Sequence, residues 1–119
     1  MQYFITGATG FIGRRLVRKL LERDGSHIFI LVRESEKDSL ESLREFWGCD
    51  SGKVIPVVGD LTQPTLGVSV EDSRKLGKKT THFFHLAAIY DLKADAASQL
   101  RVNVDGTRNA VQFAEAIGA

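Results

Sequence analysis

Gly7, Gly10 and Gly13 recur at three-residue spacing in the stretch TGATGFIG, between a short apolar run and a longer amphipathic one. No other feature limits the fold of this chain as much. Tyr3, Phe4, Ile5 and Thr6 favour a strand, and beyond the last glycine Leu16, Val17, Leu20 and Leu21 return at helical spacing. A turn of this kind has a physical use. Gly7 permits a sharp exit from the strand, Gly10 keeps a Cβ out of the path of an approaching pyrophosphate, and Gly13 lets the helix lie close to the sheet. The helix start adds free N–H groups and roughly half a positive charge. The spacing predicts a phosphate-holding strand–turn–helix; a tight turn with no ligand is the alternative.

The rest of the chain repeats the same alternation. Strands are expected over residues 2–6, 27–33, 54–58 and 81–86, and helices over 10–22, 71–76 and the C-terminal stretch. Ser35 reads as the N-cap of a further helix carrying Leu40, Leu43, Phe46 and Trp47 and closed by Gly48. Pro56 marks the third strand as an edge or a site of local irregularity, because proline cannot donate to a ladder. Residues 64–70 read as loop. In the last helix Ala97, Leu100, Val104, Thr107, Val111 and Ala114 form one apolar stripe, expected to be its buried face. The order βαβαβαβα implies an α/β fold, a Rossmann-type doubly wound parallel sheet in strand order 3-2-1-4. That order brings the ends of the first and fourth strands together at the crevice where such sheets bind ligands.

Composition narrows the function. With 119 residues the chain is a single domain, and a net charge of +1 gives no electrostatic case for nucleic acid or an anionic membrane as partner. No apolar run reaches the roughly 18–20 residues that span a bilayer, and residues 1–13 lack the basic and apolar regions of a signal peptide. Cys49 has no second cysteine to pair with, which fits a reducing, cytoplasmic setting. His27, His82 and His85 come from different strand regions and form no ligand set with Cys49, so no metal is expected.

Four short motifs carry a resemblance: TGATGFIG at 6–13, GDLT at 59–62, HLAA at 85–88 and NVDGT at 103–107. In order and spacing the chain resembles the N-terminal, cofactor-binding half of the extended short-chain dehydrogenase/reductases. GDLTQPTLG at 59–67 is similar to the corresponding stretch of the fatty acyl reductases, male-sterility-type proteins and thioester reductase domains. The resemblance implies a nicotinamide cofactor held by Gly7, Thr9, Gly10, Phe11, Ile12, Gly13 and Arg14. It implies that Asp60 accepts from the adenine amino group while Leu61 packs on the ring. Ala87 and Ala88 would let the cofactor pass close to strand four. Asn103 would order backbone and water near the catalytic lysine, beside a buried Val104.

The residues themselves address which nicotinamide cofactor is bound. An acidic residue about 20 positions beyond the glycines accepts from the ribose 2′-hydroxyl of NAD, and here the twentieth residue after Gly13 is Arg33. A guanidinium attracts a 2′-phosphate and binds it with two parallel hydrogen bonds. Arg14, at the start of the first helix, is placed to reach the same group. NADP(H) is therefore expected over NAD(H), with Glu34 the carboxylate that would act against it.

The hydride-transfer machinery of this superfamily, a YxxxK pair, is missing. Tyr3 and Tyr90 are the only tyrosines, and neither has a lysine four residues on. The chain is expected to be inactive alone and to act within a longer polypeptide that reduces an acyl thioester or another carbonyl. Nucleotide-sugar epimerases and dehydratases share the same front half, and a non-catalytic NADP-sensing module is the alternative from outside enzymology. Strand four, an apolar and unprotected edge, is expected to pair with that longer polypeptide or with a second copy.

Overall fold

The computed structural model describes residues 1–48, 52–87 and 95–119. Four parallel strands, β1 (Gln2–Thr6), β2 (His27–Val32), β3 (Val54–Val58) and β4 (His82–His85), lie in the order β3-β2-β1-β4. Tyr3 stands between Ile28 and His82, and Thr6 lies opposite His85 at the end of β4. Side chains alternate across this sheet. Tyr3, Ile5, Ile28, Ile30, Val32 and Val54 face the layer of α1 (Phe11–Leu21) and α2 (Glu41–Trp47). Phe4, Phe29, Val57 and Phe83 face α3 (Val70–Leu76) and α4 (Ala96–Ala116). The sheet is thus covered on both faces, which is why β1 and β2 are almost continuously apolar. Phe4 stacks on Phe83 at 5.0 Å between centroids and meets the edge of Phe113 at 5.5 Å. Among the described residues no helix is long and apolar enough to cross a membrane.

Pro56 sits on the edge strand, as its chemistry requires. The Lys53 carbonyl accepts from Ile28 N–H at 2.8 Å and Gly59 N–H donates to the Val32 carbonyl at 2.9 Å. The odd-numbered positions of β3 therefore turn their polar groups to β2, and Pro56 turns its donor-less nitrogen outward.

Three local expectations need correction. Ser35 caps no α-helix. The chain first makes a 3-10 helix over Glu34–Leu40, with Arg33 at its N-cap position, and α2 begins only at Glu41. Glu36 N–H closes on the Arg33 carbonyl at 2.9 Å, the three-residue closure of that tighter helix. Within 64–70, Pro64–Gly67 forms a second short 3-10 turn, with Thr65 and Leu66 at φ 54° and 56°. Left-handed backbone costs about 1–2 kcal/mol per such residue, offset here by complete burial of Leu66. Ser69 then caps α3, accepting from Asp72 N–H at 3.1 Å.

The third correction concerns α4. Its buried residues are Gly106, Ala110 and Phe113, with Ile117 just beyond. Leu100, Val104 and Val111 of the expected inner stripe are 66%, 47% and 52% exposed. Phe113 meets Phe4 and Phe83 of the sheet edge-on, and Gly106 makes room for the Leu61 side chain. Periodicity found a real apolar stripe and gave it the wrong neighbour.

Candidate functional site

A groove crosses the C-terminal ends of the strands, lined by Gly7, Arg33, Gly59 and Leu86, the residues that follow β1, β2, β3 and β4. Its floor at one end is the turn from β1 to α1. Gly7 has φ 78°, and a Cβ there would lie 2.6 Å from Ala87 N. A Cβ on Gly13 would collide with the Gly7 carbonyl and come within 2.9 Å of Ala8 Cα. Both glycines are thus demanded by the fold itself. Gly10 is not. Its φ of −74° suits any L-residue, and among the described residues a Cβ would meet nothing nearer than the Gly7 carbonyl oxygen at 3.4 Å. Gly10 lines the groove, so the space kept open by its missing side chain faces outward, toward whatever enters.

Arg14 stands behind this turn rather than in the groove lining. Its Nη2 donates to the Thr9 carbonyl at 2.6 Å and its Nε to the Gly10 carbonyl at 3.3 Å. These two bonds occupy the Thr9 and Gly10 carbonyls, which leaves the unbonded N–H groups of the first helical turn as the polar groups a ligand at this end would meet. Trp47 Nε1 donates to the Arg14 carbonyl at 2.9 Å, and Phe46 lies 5.9 Å beneath the guanidinium. Phe11 and Ile12 are 72% and 69% exposed and lie outside the groove lining, while Gly13 is packed beneath the turn.

The other end of the groove is walled by Arg33, Glu36, Asp60, Leu61 and Thr62. Asp60 Oδ1 accepts from Thr62 N–H at 2.9 Å and from Thr62 Oγ1 at 2.7 Å. These two bonds hold the carboxyl below its ordinary range, helped in smaller part by the charge of Arg33. The turn-forming role thus uses one oxygen of Asp60; Oδ2 makes no hydrogen bond among the described residues. Asp60 N–H is pinned to the Leu66 carbonyl at 2.7 Å, and Asn109 Nδ2 donates to the Leu61 carbonyl at 3.0 Å. The Leu61 side chain seats against Gly106, where a Cβ would lie 2.9 Å from it. Arg33, 71% exposed, points its Nε toward Glu36 Oε1 at 3.7 Å.

His85 ties β1, β4 and α4 together beneath the groove. Its Nδ1 lies 2.6 Å from Thr6 Oγ1 and its Nε2 lies 3.3 Å from Thr107 Oγ1. Thr6 Oγ1 accepts from Ala87 N–H at 3.2 Å, and Thr107 Oγ1 donates to the Asn103 carbonyl at 2.9 Å. One direction of bonds satisfies every group: Thr6 donates to Nδ1, and Nε2–H donates to Thr107. The network therefore assigns the neutral Nε2–H tautomer. Burial pushes the imidazole below its usual range in the same sense. Asn103 is half-buried on α4, next to an exposed rather than a buried Val104, and is not part of the groove lining. Ala87 lines the groove. Ala88, Tyr90 and Cys49 lie outside the described residues.

A family model for male sterility proteins, an NAD-binding family, matches residues 5–119. The chain belongs to that family. It is of the extended short-chain dehydrogenase/reductase type, and its family binds a nicotinamide cofactor. A putative fatty acyl-CoA reductase of Drosophila melanogaster is 31% identical over 124 residues, covering 94% of this chain and 23% of the insect protein. A linear gramicidin synthase of Brevibacillus parabrevis is 36% identical over 120 residues, covering 94% of this chain and 2% of the synthase polypeptide. Among solved structures, the terminal R domain of the myxalamid PKS-NRPS pathway superposes with a TM-score of 0.75 at 30% identity, over 95% of this chain and 31% of that one. The chain thus spans under a third of these relatives.

Of the expected residues of this male sterility protein family member, the fold brings Gly7, Thr9, Gly10, Arg33, Asp60, Leu61 and Ala87 to one groove. Sequence reading missed Glu36, Thr62, Leu86 and Val102, which also line it. Thr62 was within reach, because Asp followed two residues later by Thr is the pattern of a side-chain-closed turn. Leu86 was also within reach, inside the HLAA stretch at 85–88, whereas Glu36 and Val102 had no signal of their own: their place depends on a 3-10 register and on which way α4 faces.

Proposed function

We propose that this chain is the NADP(H)-binding portion of an extended short-chain reductase that, in a longer polypeptide, reduces an acyl thioester or another carbonyl compound. Gly10 carries the reading. Among the described residues nothing requires a glycine there, and its missing side chain leaves room on the groove side of the turn into α1. A pyrophosphate is what such a space admits. When bound, the cofactor supplies hydride chemistry.

The residues present fit that cofactor. The turn from Gly7 to Gly13 would hold the pyrophosphate, with Arg14 occupying its Thr9 and Gly10 carbonyls. Asp60 Oδ2 would accept from the adenine amino group, and Leu61, which is braced by Gly106 and Asn109, would pack on the ring face. Arg33 would take the 2′-phosphate, which favours NADP(H) over NAD(H). Ala87 and Ala88 would let the cofactor run close to β4. Asn103 would act one step removed, through backbone and water near a lysine supplied by the longer polypeptide. No YxxxK pair is present in the 119 residues, so binding is their task and proton donation falls elsewhere.

Calorimetric titration of the chain with NADPH and NADH, repeated on Arg33→Ala, tests this. Tight NADPH binding that weakens selectively in the variant is expected. Absence of binding of either nucleotide by folded protein would overturn the reading.

A further inference from the structure

The Arg33 guanidinium does not stand alone at the ribose end of the groove. Arg33 and Glu36 are one 3-10 turn apart, and side chains three residues apart in such a turn eclipse one another. The Glu36 N–H bond to the Arg33 carbonyl fixes that turn, and the two side chains meet at 3.7 Å. Asp60 lines the same end, and the Arg33 charge acts on its carboxyl. Among the described residues lining the groove, one cation therefore faces two carboxylates. That is a poor balance for a site meant to receive a phosphate.

We propose that Glu36 is a specificity-determining residue, a tethered carboxylate that competes with the cofactor's 2′-phosphate for Arg33 and offers an unphosphorylated ribose an acceptor. This rests on the assignment of Arg33 to the 2′-position made above. Arrival of a 2′-phosphate requires Glu36 to release Arg33 and swing away, or leaves two anions on one guanidinium. Exposed pairs of this kind open at little cost. With NAD(H) the pair stays closed, and the Glu36 carboxylate stands where a 2′-hydroxyl can donate to it, the role of the acidic residue in NAD-binding turns. Glu36 thus narrows the discrimination that Arg33 alone would impose.

The test is calorimetric titration of the 119-residue chain with NADPH and NADH, in the native sequence and as Glu36→Gln, Glu36→Lys and Arg33→Ala, with a thermal melt of each variant. Glu36→Gln is expected to raise the preference for NADPH about two- to fivefold, the scale of one exposed ion pair. Glu36→Lys is expected to raise it further, and the gain should fade at about 1 M salt, where charges are screened within roughly 3 Å. An unchanged preference in both Glu36 variants, or an equal change for the two nucleotides, overturns the proposal while Arg33→Ala still weakens NADPH selectively. If Arg33→Ala leaves the preference intact, or no folded variant binds either nucleotide, the 2′-assignment fails and Glu36 falls with it.

Discussion

The two ends of the groove are built from different materials. At the phosphate end the shape is backbone: Gly7 and Gly13 are forced by collisions within the protein, and Arg14 and Trp47 hold carbonyls rather than ligand. At the ribose end the shape is side chain, carried by Arg33 and Glu36 on an exposed 3-10 turn. A backbone site cannot drift without taking the fold with it. A side-chain site can be retuned one residue at a time with the sheet intact. Under the proposed reading, recognition of the pyrophosphate would thereby be separated from the choice between phosphorylated and unphosphorylated ribose.

Substitution at the phosphate end should break that contrast most severely. Gly13→Val drives a branched side chain into the Gly7 carbonyl and is expected to cost more than about 3 kcal/mol, read by urea unfolding. Gly10→Val sharpens the contrast from within the same turn. It should leave stability within about 1 kcal/mol of the native chain while weakening both nucleotides about tenfold or more, roughly 1.4 kcal/mol. If Gly10→Val unfolds the chain instead, the distinction between glycines needed by the fold and by the ligand is lost. At the other end, Arg33→Ala should weaken NADPH about tenfold, the scale of a charge-assisted hydrogen bond, with NADH and the melting temperature unmoved.

The smallest effect is one of pH. Burial lowers the His85 pKa below its ordinary 6.5, so the unfolded chain takes up that proton before the folded one does. Stability from neutral His85 is therefore complete above about pH 6.5 and is lost progressively as pH falls below it. Asp60, lowered by its bonds from Thr62, acts in a separate window, losing its contribution as pH falls below the ordinary 3.8. Melts from about pH 8 down to about pH 5 should show a decline that flattens in His85→Gln. An identical decline in that variant would remove His85 from the account.

Much of this was legible in the sequence, for a physical reason. Parallel order, the Pro56 edge and the strand–turn–helix at Gly7–Gly13 follow from backbone rules that hold whatever the tertiary context. What escaped depends on contacts across the chain. The apolar stripe through Leu100, Val104 and Val111 looked like a core face because periodicity reports that a face exists, not what lies opposite; the face that packs is built on Gly106, Ala110 and Phe113. Glu34 drew attention as the carboxylate nearest Arg33 in sequence, whereas a 3-10 turn brings Glu36 beside it. The Thr6–His85–Thr107 linkage joins residues 79 and 22 positions apart. No local pattern announces it.

Trp47 is the chain's single tryptophan. It is buried at α2, and its indole nitrogen is fastened to the carbonyl of the residue that follows the last glycine. Indole emission depends on burial and on that hydrogen bond, so the tryptophan fluorescence of the whole chain originates at one joint, between α1 and α2. Any ligand that shifts α1 against α2 should alter this one signal, and one that docks elsewhere should leave it unchanged. The molecule carries its own optical gauge at the joint between α1 and α2.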